Sequence, residues 1–279
     1  MSANFLIQNI ENAFLAWEAS PTYNPDDFEL FCEYILPHRI TNESPEVYRE
    51  KYYTQFKHIL DTATNIPSII NGFRNELYNN LKYRHSQILW DYSAGISISQ
   101  MEKIHSGACK HMTSFQALVM KACGLPVTID RAIWGNRSIG HSWNVFIEDS
   151  KNFFPFDALE KDSIKLAYKP AKIFRKRYSI DIEMLDVLNT TDVPEAFFVL
   201  DEKDVTDQYV KAFDISIPIK YEYNGERKKK IGVICVFDNK NWRVVYWGEI
   251  KSKKFHFNKM ASGILYVGAY YENGDIIPA

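Results

Sequence analysis

The sequence predicts an α+β protein, with N-terminal helices packed on a core that holds an antiparallel sheet, and a β-sandwich at the C-terminal end. Three observations lead there. Apolar residues recur at helical spacing through the first 85 or so residues. Past residue 126 the pattern changes to short runs rich in Val, Ile, Phe, Tyr and Trp, parted by turn residues. One further helix, opening near Cys109 and closing at Gly124-Leu125-Pro126, joins the two regions. The expected boundaries are 1–170 for the helical region with its mixed core, 171–199 for a connection, and 200–279 for the sandwich.

The elements follow in order. Phe5, Leu6, Ile10, Phe14 and Trp17 mark a first helix, and Asp27–Leu36 a second that stops before Pro37. A long helix is expected over Pro45–Thr64, with Ser44 as its N-cap and Pro45 at the first helical position. Another covers Pro67–Leu81, with Ile69, Ile70, Phe73, Leu77 and Leu81 on one stripe. After the Cys109 helix, PVTIDRAIW, HSWNVFIED and NFFPFD read as strands. Leu166–Glu195 has no strong period and reads as an irregular connection. SIPIKYEY, KKIGVICVF, WRVVYWGEI, FHFNKM and GILYVGAYY are the strands of the sandwich, with turns at NGE and DNKN.

Composition bounds the function. The 279 residues are 46% hydrophobic and 24% charged, so packed cores are expected. Lys and Arg number 33 against 35 Asp and Glu, which gives no sign of nucleic acid or anionic membrane as an obligate partner. No stretch approaches the roughly 20 apolar residues of a membrane span. The first residues lack a basic leader, and Gln8, Asn9, Glu11 and Asn12 interrupt the apolar run, so a signal segment is expected to be absent or trimmed. Cys32, Cys109, Cys123 and Cys235 are scattered, with no CxxC pair; this is neither a disulfide framework nor a zinc ribbon.

Cys109 stands apart from the other three. It follows Gly107-Ala108 at a helix entrance, while Met112, Phe115, Leu118, Val119 and Ala122 form the apolar face behind it. A helix N-terminus carries partial positive charge and free N–H groups. Both favour a thiolate, and the N–H groups can receive an oxyanion. A thiol needs a base, and His141 opens one strand while Asp157 closes the next. Their midpoint, residue 149, falls in the expected turn, so a simple hairpin sets the two across from each other. An Asp beside an imidazole orients it and favours its protonated form.

The span Gly107–Asp157 resembles the transglutaminase-like branch of the papain-like thiol enzymes, in particular its bacterial members. The family's G-x-C, G-[IL]-P, H-[AS]-W and aromatic strand ending in Asp read here as Gly107-Ala108-Cys109, Gly124-Leu125-Pro126, His141-Ser142-Trp143 and Phe153–Asp157. The resemblance implies a papain-like core, with Cys109 as nucleophile, His141 as base and Asp157 as orienting acid. It further implies acyl transfer from an amide through a thioester, to water or an amine, on a peptide, a protein or a glycan-linked peptide. A secreted or cell-envelope location goes with it. Where the family often carries an acid after its Cys, this chain has Lys110. Trp90, Tyr92 and Gln100 are the candidates for the upstream group that assists the oxyanion. Trp134, Asn136, Trp143 and Trp90 are the candidates for substrate contact, with Arg137 in the same loop as Asn136.

Other readings compete. A scaffold that has lost the chemistry could hold a peptide or carbohydrate, and a sandwich could dock a partner protein. Zinc on His105, Cys109 and His111 is disfavoured because Ser106-Gly107 interrupts the helix and no second ligand pair follows. No metal and no cofactor is expected. Cys32 and Cys235 read as packing residues.

Overall fold

The structure, a computed structural model, describes every residue except 87–91, 93–94, 139, 159–163, 165, 183, 186–192, 198 and 224–228. Helix α1 (Ala3–Glu18) forms where the apolar spacing predicts it; Ser2 caps it by accepting from the Phe5 amide, and Ala13, Ala16 and Trp17 are buried. A 3₁₀ turn at Pro25–Asp27 leads into α2 (Phe28–Leu30), which runs on as a π-turn, Phe31–Ile35. Phe31 and Ile35, four apart, take the buried side. Cys32 therefore faces outward and is exposed, which corrects its reading as a packing residue.

The third helix also departs from expectation. α3 spans Arg49–Thr62, and Ser44 does not cap it. The two acids after Asn42 are engaged elsewhere. Glu43 accepts from the amides of Ile40 and Thr41, and Glu46 accepts from the amide (2.9 Å) and hydroxyl (2.7 Å) of Ser99. These bonds hold residues 43–48 out of the helix. α4 (Ile66–Arg74) begins with a reciprocal capping box between Asn65 and Ser68 and continues as a π-helix, Asn75–Asn80. Ile69, Ile70, Phe73 and Leu77 are buried as the stripe predicts. α5 (Ile98–Ile104) precedes α6 (Cys109–Ala122).

The chain divides into two units, Met1–Asp130 with Ser142–Lys165, and Arg131–His141 with Leu166–Ala279. In the first, α6 is the central helix. Gly124 ends it at φ +73°, where a Cβ would lie 2.2 Å from the Ala16 carbonyl oxygen, so glycine is required on both counts. Buried Arg49 ties several helix ends together through their carbonyls. It donates to Lys121 (2.8 Å) at the close of α6, to Ile35 (2.6 Å), Leu36 and Pro37 after the π-turn, and to the Asn9 side chain on α1.

Strands β1 (Arg84–His85) and β2 (Ser106–Gly107) form a short parallel pair just before Cys109. β3 (Val127–Trp134), β4 (His141–Ile147) and β5 (Phe153–Phe156) appear where the sequence predicts them. With β6 (Pro170–Lys176) and β7 (Glu202–Asp204) they make a five-stranded sheet in the order β5-β4-β3-β6-β7. β6 lies within the stretch expected to be irregular. Its first six residues are all buried, so it carries no alternation for the eye to find.

In the second unit β8 (Ala212–Pro218), β9 (Ile231–Asp238), β10 (Asn241–Lys251), β11 (Lys254–Ala261), β12 (Val267–Glu272) and β13 (Asp275–Pro278) form one antiparallel sheet, β13-β12-β9-β10-β11-β8. Among the described residues these strands make a single sheet instead of the two facing layers of the expected sandwich. The sheet coils: the ring of Phe255 on β11 lies against Gly232 on β9 and Gly268 on β12. β8 begins four residues before SIPIKYEY, because the paired alternation is Phe213, Ile215 and Ile217. The NGE turn at 224–226 lies outside the described residues, while Asn239 and Lys240 make the DNKN turn with positive φ. No helix among the described residues is long and apolar enough to cross a membrane.

Candidate active site

The entrance to α6 is built before Cys109 is reached. β1 holds β2 in place: the Ser86 amide donates to the Gly107 carbonyl at 2.8 Å and the Arg84 amide to that of His105 at 2.9 Å. Ala108 is the N-cap and has no side chain to offer the helix. His111, at the third helical position, supplies half of a capping box by accepting the Ala108 amide at Nδ1, 3.2 Å away. Its side chain crosses Gly107 so closely that a Cβ there would lie 2.8 Å from the His111 Cβ. The glycine of the G-x-C motif is thus explained by the imidazole above it. His111 is 4% exposed, and burial, with Lys110 adding to it, lowers its pKa to about 4. Near neutral pH it is uncharged, its Nδ1 an acceptor and its Nε2 carrying the proton.

Cys109 is partly buried and is the first residue of α6. The amides of Cys109 and Lys110 lie in the first turn, where a helix offers no acceptor to them. Lys110, the departure from the family pattern, reaches back to the Tyr92 carbonyl at 2.7 Å. That bond fixes residue 92 beside the helix entrance, with the Tyr92 ring 6.3 Å from His111. Of the upstream candidates, Tyr92 is thus adjacent to the first turn. Gln100 instead closes the capping box of α5 by accepting from the Ser97 amide. Trp90 lies outside the described residues.

The base and acid candidates lie on the hairpin. His141 is the first residue of β4, and Asp157 follows the last residue of β5. The β4–β5 register pairs Asn144 with Phe156 and Ile147 with Phe153, so paired numbers sum to 300. The simple hairpin drawn from the sequence needs 298. The turn is centred on residue 150 because Asp149 accepts from the amides of Lys151 (2.6 Å) and Asn152 (2.8 Å), a local turn that pushes the centre one residue on. Continued by one pair, this register sets Asp157 opposite Trp143. The offset from His141 is two residues, an even number that keeps both positions on one face.

Buried polar contacts tie this hairpin to α6. Asn144, fully buried, donates to the Thr113 carbonyl at 2.8 Å, and the Thr113 hydroxyl donates to the Cys109 carbonyl at 2.9 Å. Tyr78 donates to Gln116 Oε1 at 3.0 Å, and burial followed by the charge of Asp157 raises the Tyr78 pKa. Asn144, Gln116 and Tyr78 were not singled out in the sequence, and His111 was weighed there only as a zinc ligand. Only His111 left a signal there, as an acceptor three positions after the cap.

Of the substrate-contact candidates, Asn136 is exposed. Trp134 is 3% exposed and packs edge-on to Tyr168 at 5.8 Å; Trp143 is 0% exposed. Arg137 sits 4.2 Å over the Tyr168 ring. Among the described residues no group of three or more His, Cys, Asp or Glu is placed to hold a metal ion.

No family profile and no curated protein matches the chain. Solved structures to which it is similar include a proposed cysteine protease from Cytophaga hutchinsonii, at 14% identity over 51% of this chain and 45% of that one, with a TM-score of 0.37. The periplasmic domain of TgpA from Pseudomonas aeruginosa, bound to ethylmercury, follows at 11% identity over 42% and 46%, with a TM-score of 0.32. LapG from Legionella pneumophila gives 13% identity over 47% and 85%, with a TM-score of 0.29. The chain spans under half the length of the first two.

Proposed function

We propose that the chain is a thiol-dependent hydrolase or acyltransferase acting on amide bonds of a peptide, a protein or a glycan-linked peptide. Cys109 is the nucleophile, His141 the base and Asp157 the group that orients His141. The observation that carries this reading is the placement of Cys109 as first residue of a 14-residue helix, at an entrance fixed by Gly107, His111 and β1. Asn144 supports it by holding β4, three residues on from His141, to Thr113 in the second turn of that helix.

In this scheme the Cys109 thiol passes its proton to His141 and the sulfur adds to the amide carbonyl. The resulting oxyanion is received by the amides of Cys109 and Lys110. The tetrahedral species then breaks its C–N bond, and His141 gives the proton to the departing amine. This leaves a thioester on Cys109. Water or an acceptor amine adds next, with His141 again taking the proton, and the thiolate leaves. Asn136, the exposed candidate, is proposed to touch substrate. Trp134 and Trp143 are proposed to shape the walls from within. A secreted or cell-envelope location belongs to the same proposal.

The test is the rate of Cys109 alkylation by iodoacetamide between pH 4 and 9, read by peptide mapping in the wild type and in His141→Ala. A working pair labels Cys109 quickly well below pH 8 and loses that rate without His141. An unshifted midpoint near 8.5, unchanged in His141→Ala, overturns the reading and leaves a binding scaffold.

A further inference from the structure

We propose that a cavity in the first unit, at the Ile147 end of β4, binds an organic cation that carries an apolar body. The cavity holds about 480 Å³, within the range of roughly 300–1,000 Å³ typical of small-molecule sites. Trp17, Ile69, Phe146 and Ile147, each no more than 5% exposed, form its floor. These side chains sit on packed elements; Trp17, for one, stacks on Phe31 at 4.5 Å. The site is thus preformed and apolar at depth.

A census of hydrogen-bonding groups decides the charge of the occupant. Three of the lining residues, Pro21, Pro67 and Pro126, have no amide hydrogen. The amides of Thr64 and Asn65 both donate to the Ser68 hydroxyl, at 2.9 and 3.0 Å, and that of Ile69 to the Asn65 carbonyl at 3.1 Å. Ile147 donates to the Pro126 carbonyl at 2.8 Å and Glu148 to that of Asn152 at 3.0 Å. Thr22 donates to the Ser20 hydroxyl. These backbone amides are therefore already engaged, the side-chain donors beside them (the Trp17 indole, the Asn65 amide and the Thr22 and Thr64 hydroxyls) are neutral, and the N-terminus of α4 that borders them has its own cap. The walls are rich in acceptors. Among the described residues Asp27 has one oxygen on the Asn24 side chain and no bond to the other, and the exposed Glu148 carboxylate has no ion pair. No Lys or Arg among the described residues lines the cavity. Two carboxylates over an aromatic floor, with only neutral donors beside them, select an ammonium or guanidinium on an apolar stem. A free amine and a basic side chain of a peptide share that chemistry.

The experiment titrates the ¹⁵N-labelled full chain with phenethylamine, and separately with 3-phenylpropanoate, which matches its shape with the opposite charge. Saturable shifts of the Trp17 indole and the Thr64–Asn65 amides are expected with phenethylamine, about tenfold tighter than with the anion. Glu148→Gln and Asp27→Asn, both checked for an unchanged melting temperature, should each weaken binding about three- to tenfold. Cys109→Ala should leave it unchanged, which separates this site from the proposed thiol chemistry. A blocked Ala-Phe-Arg-Ala peptide binding more tightly than phenethylamine would assign the site to peptide, and the reverse order to free amines. Equal binding of amine and anion, or no saturable shift with either, overturns the proposal.

Discussion

Between pH 6.5 and about 4 an unfolded chain protonates a histidine that the folded chain keeps neutral at position 111. Its folded pKa is lowered, so the unfolded state binds more protons in this window and stability falls as pH falls. Protonation also removes Nδ1 as acceptor for the Ala108 amide. Thermal melts should thus show a loss approaching about 2–3 kcal/mol on going from pH 7 to pH 4. His111→Gln, which keeps an acceptor without the titration, should flatten that limb. The cysteines give a second prediction at this scale. Burial raises the pKa of Cys123, and that of Cys235 to about 12. Cys32 is exposed, but partial burial and the flanking Glu29 and Glu33 raise it as well. Peptide mapping at pH 7 should find Cys109 alkylated first and Cys123 and Cys235 last. Equal rates at Cys32 and Cys109 would count against an activated thiol. At the residue scale the sequence was informative about Cys109, because a thiol at a helix entrance is visible as a pattern. It was silent about Cys32, because π-turn geometry decides which side of Phe31–Ile35 faces out.

Elements were legible where their apolar residues keep one period. α1 follows the sequence reading because Ala13, Ala16 and Trp17 are buried on one side of it, whereas β3 and β4 are buried almost throughout and were legible from runs rich in Val, Ile, Phe and Trp bounded by turn residues. α3 was misplaced at its start because Glu43 turns back to the amides of Ile40 and Thr41 while Glu46 bonds to Ser99, a tertiary contact that no local window contains. β6 was missed because its buried residues include Lys172 and Arg175, which break the apolar run a covered strand normally shows. The hairpin register was missed by two because an Asx turn at Asp149 moves the centre by one residue. Two predictions belong here. Arg49→Met would remove the guanidinium donor shared by the carbonyls of Ile35, Leu36, Pro37 and Lys121 and by the Asn9 side chain, and denaturant unfolding should show a loss of about 3–5 kcal/mol. Asn144→Leu frees the Thr113 carbonyl and should cost about 1–3 kcal/mol. If β4 is held to α6 through Asn144, this variant should also slow Cys109 labelling more than an equally destabilising change in the second unit does.

At the scale of the molecule the sequence conveyed the class, α+β with antiparallel sheets, but the layering at the C-terminal end came out differently. A sandwich and a coiled single sheet share the same alternation and the same turns. What separates them is Phe255 reaching across to Gly232 and Gly268, and the pairing of distant strands is not written in any one of them. The coil makes a testable coupling. A Cβ on Gly232 would lie 2.2 Å from the Phe255 ring, so Gly232→Ala should destabilise by about 1–3 kcal/mol. Phe255→Leu should relieve part of that clash, and the double-mutant cycle should show a favourable interaction term. Additive losses would mean that the ring does not rest on Gly232.

The interleaving of the two units has its own consequence for biosynthesis. Residues 131–141 belong with the second unit, yet the first is incomplete without 142–165. As the chain emerges from the ribosome, the helices of residues 1–130 must wait for the 35 residues from 131 to 165. At roughly 5–20 residues per second that delay is about 2–7 seconds. Throughout it, α6 lacks the hairpin that supplies Asn144, and a nascent chain stalled at residue 135 should be cut by protease in a region that one stalled past 200 protects.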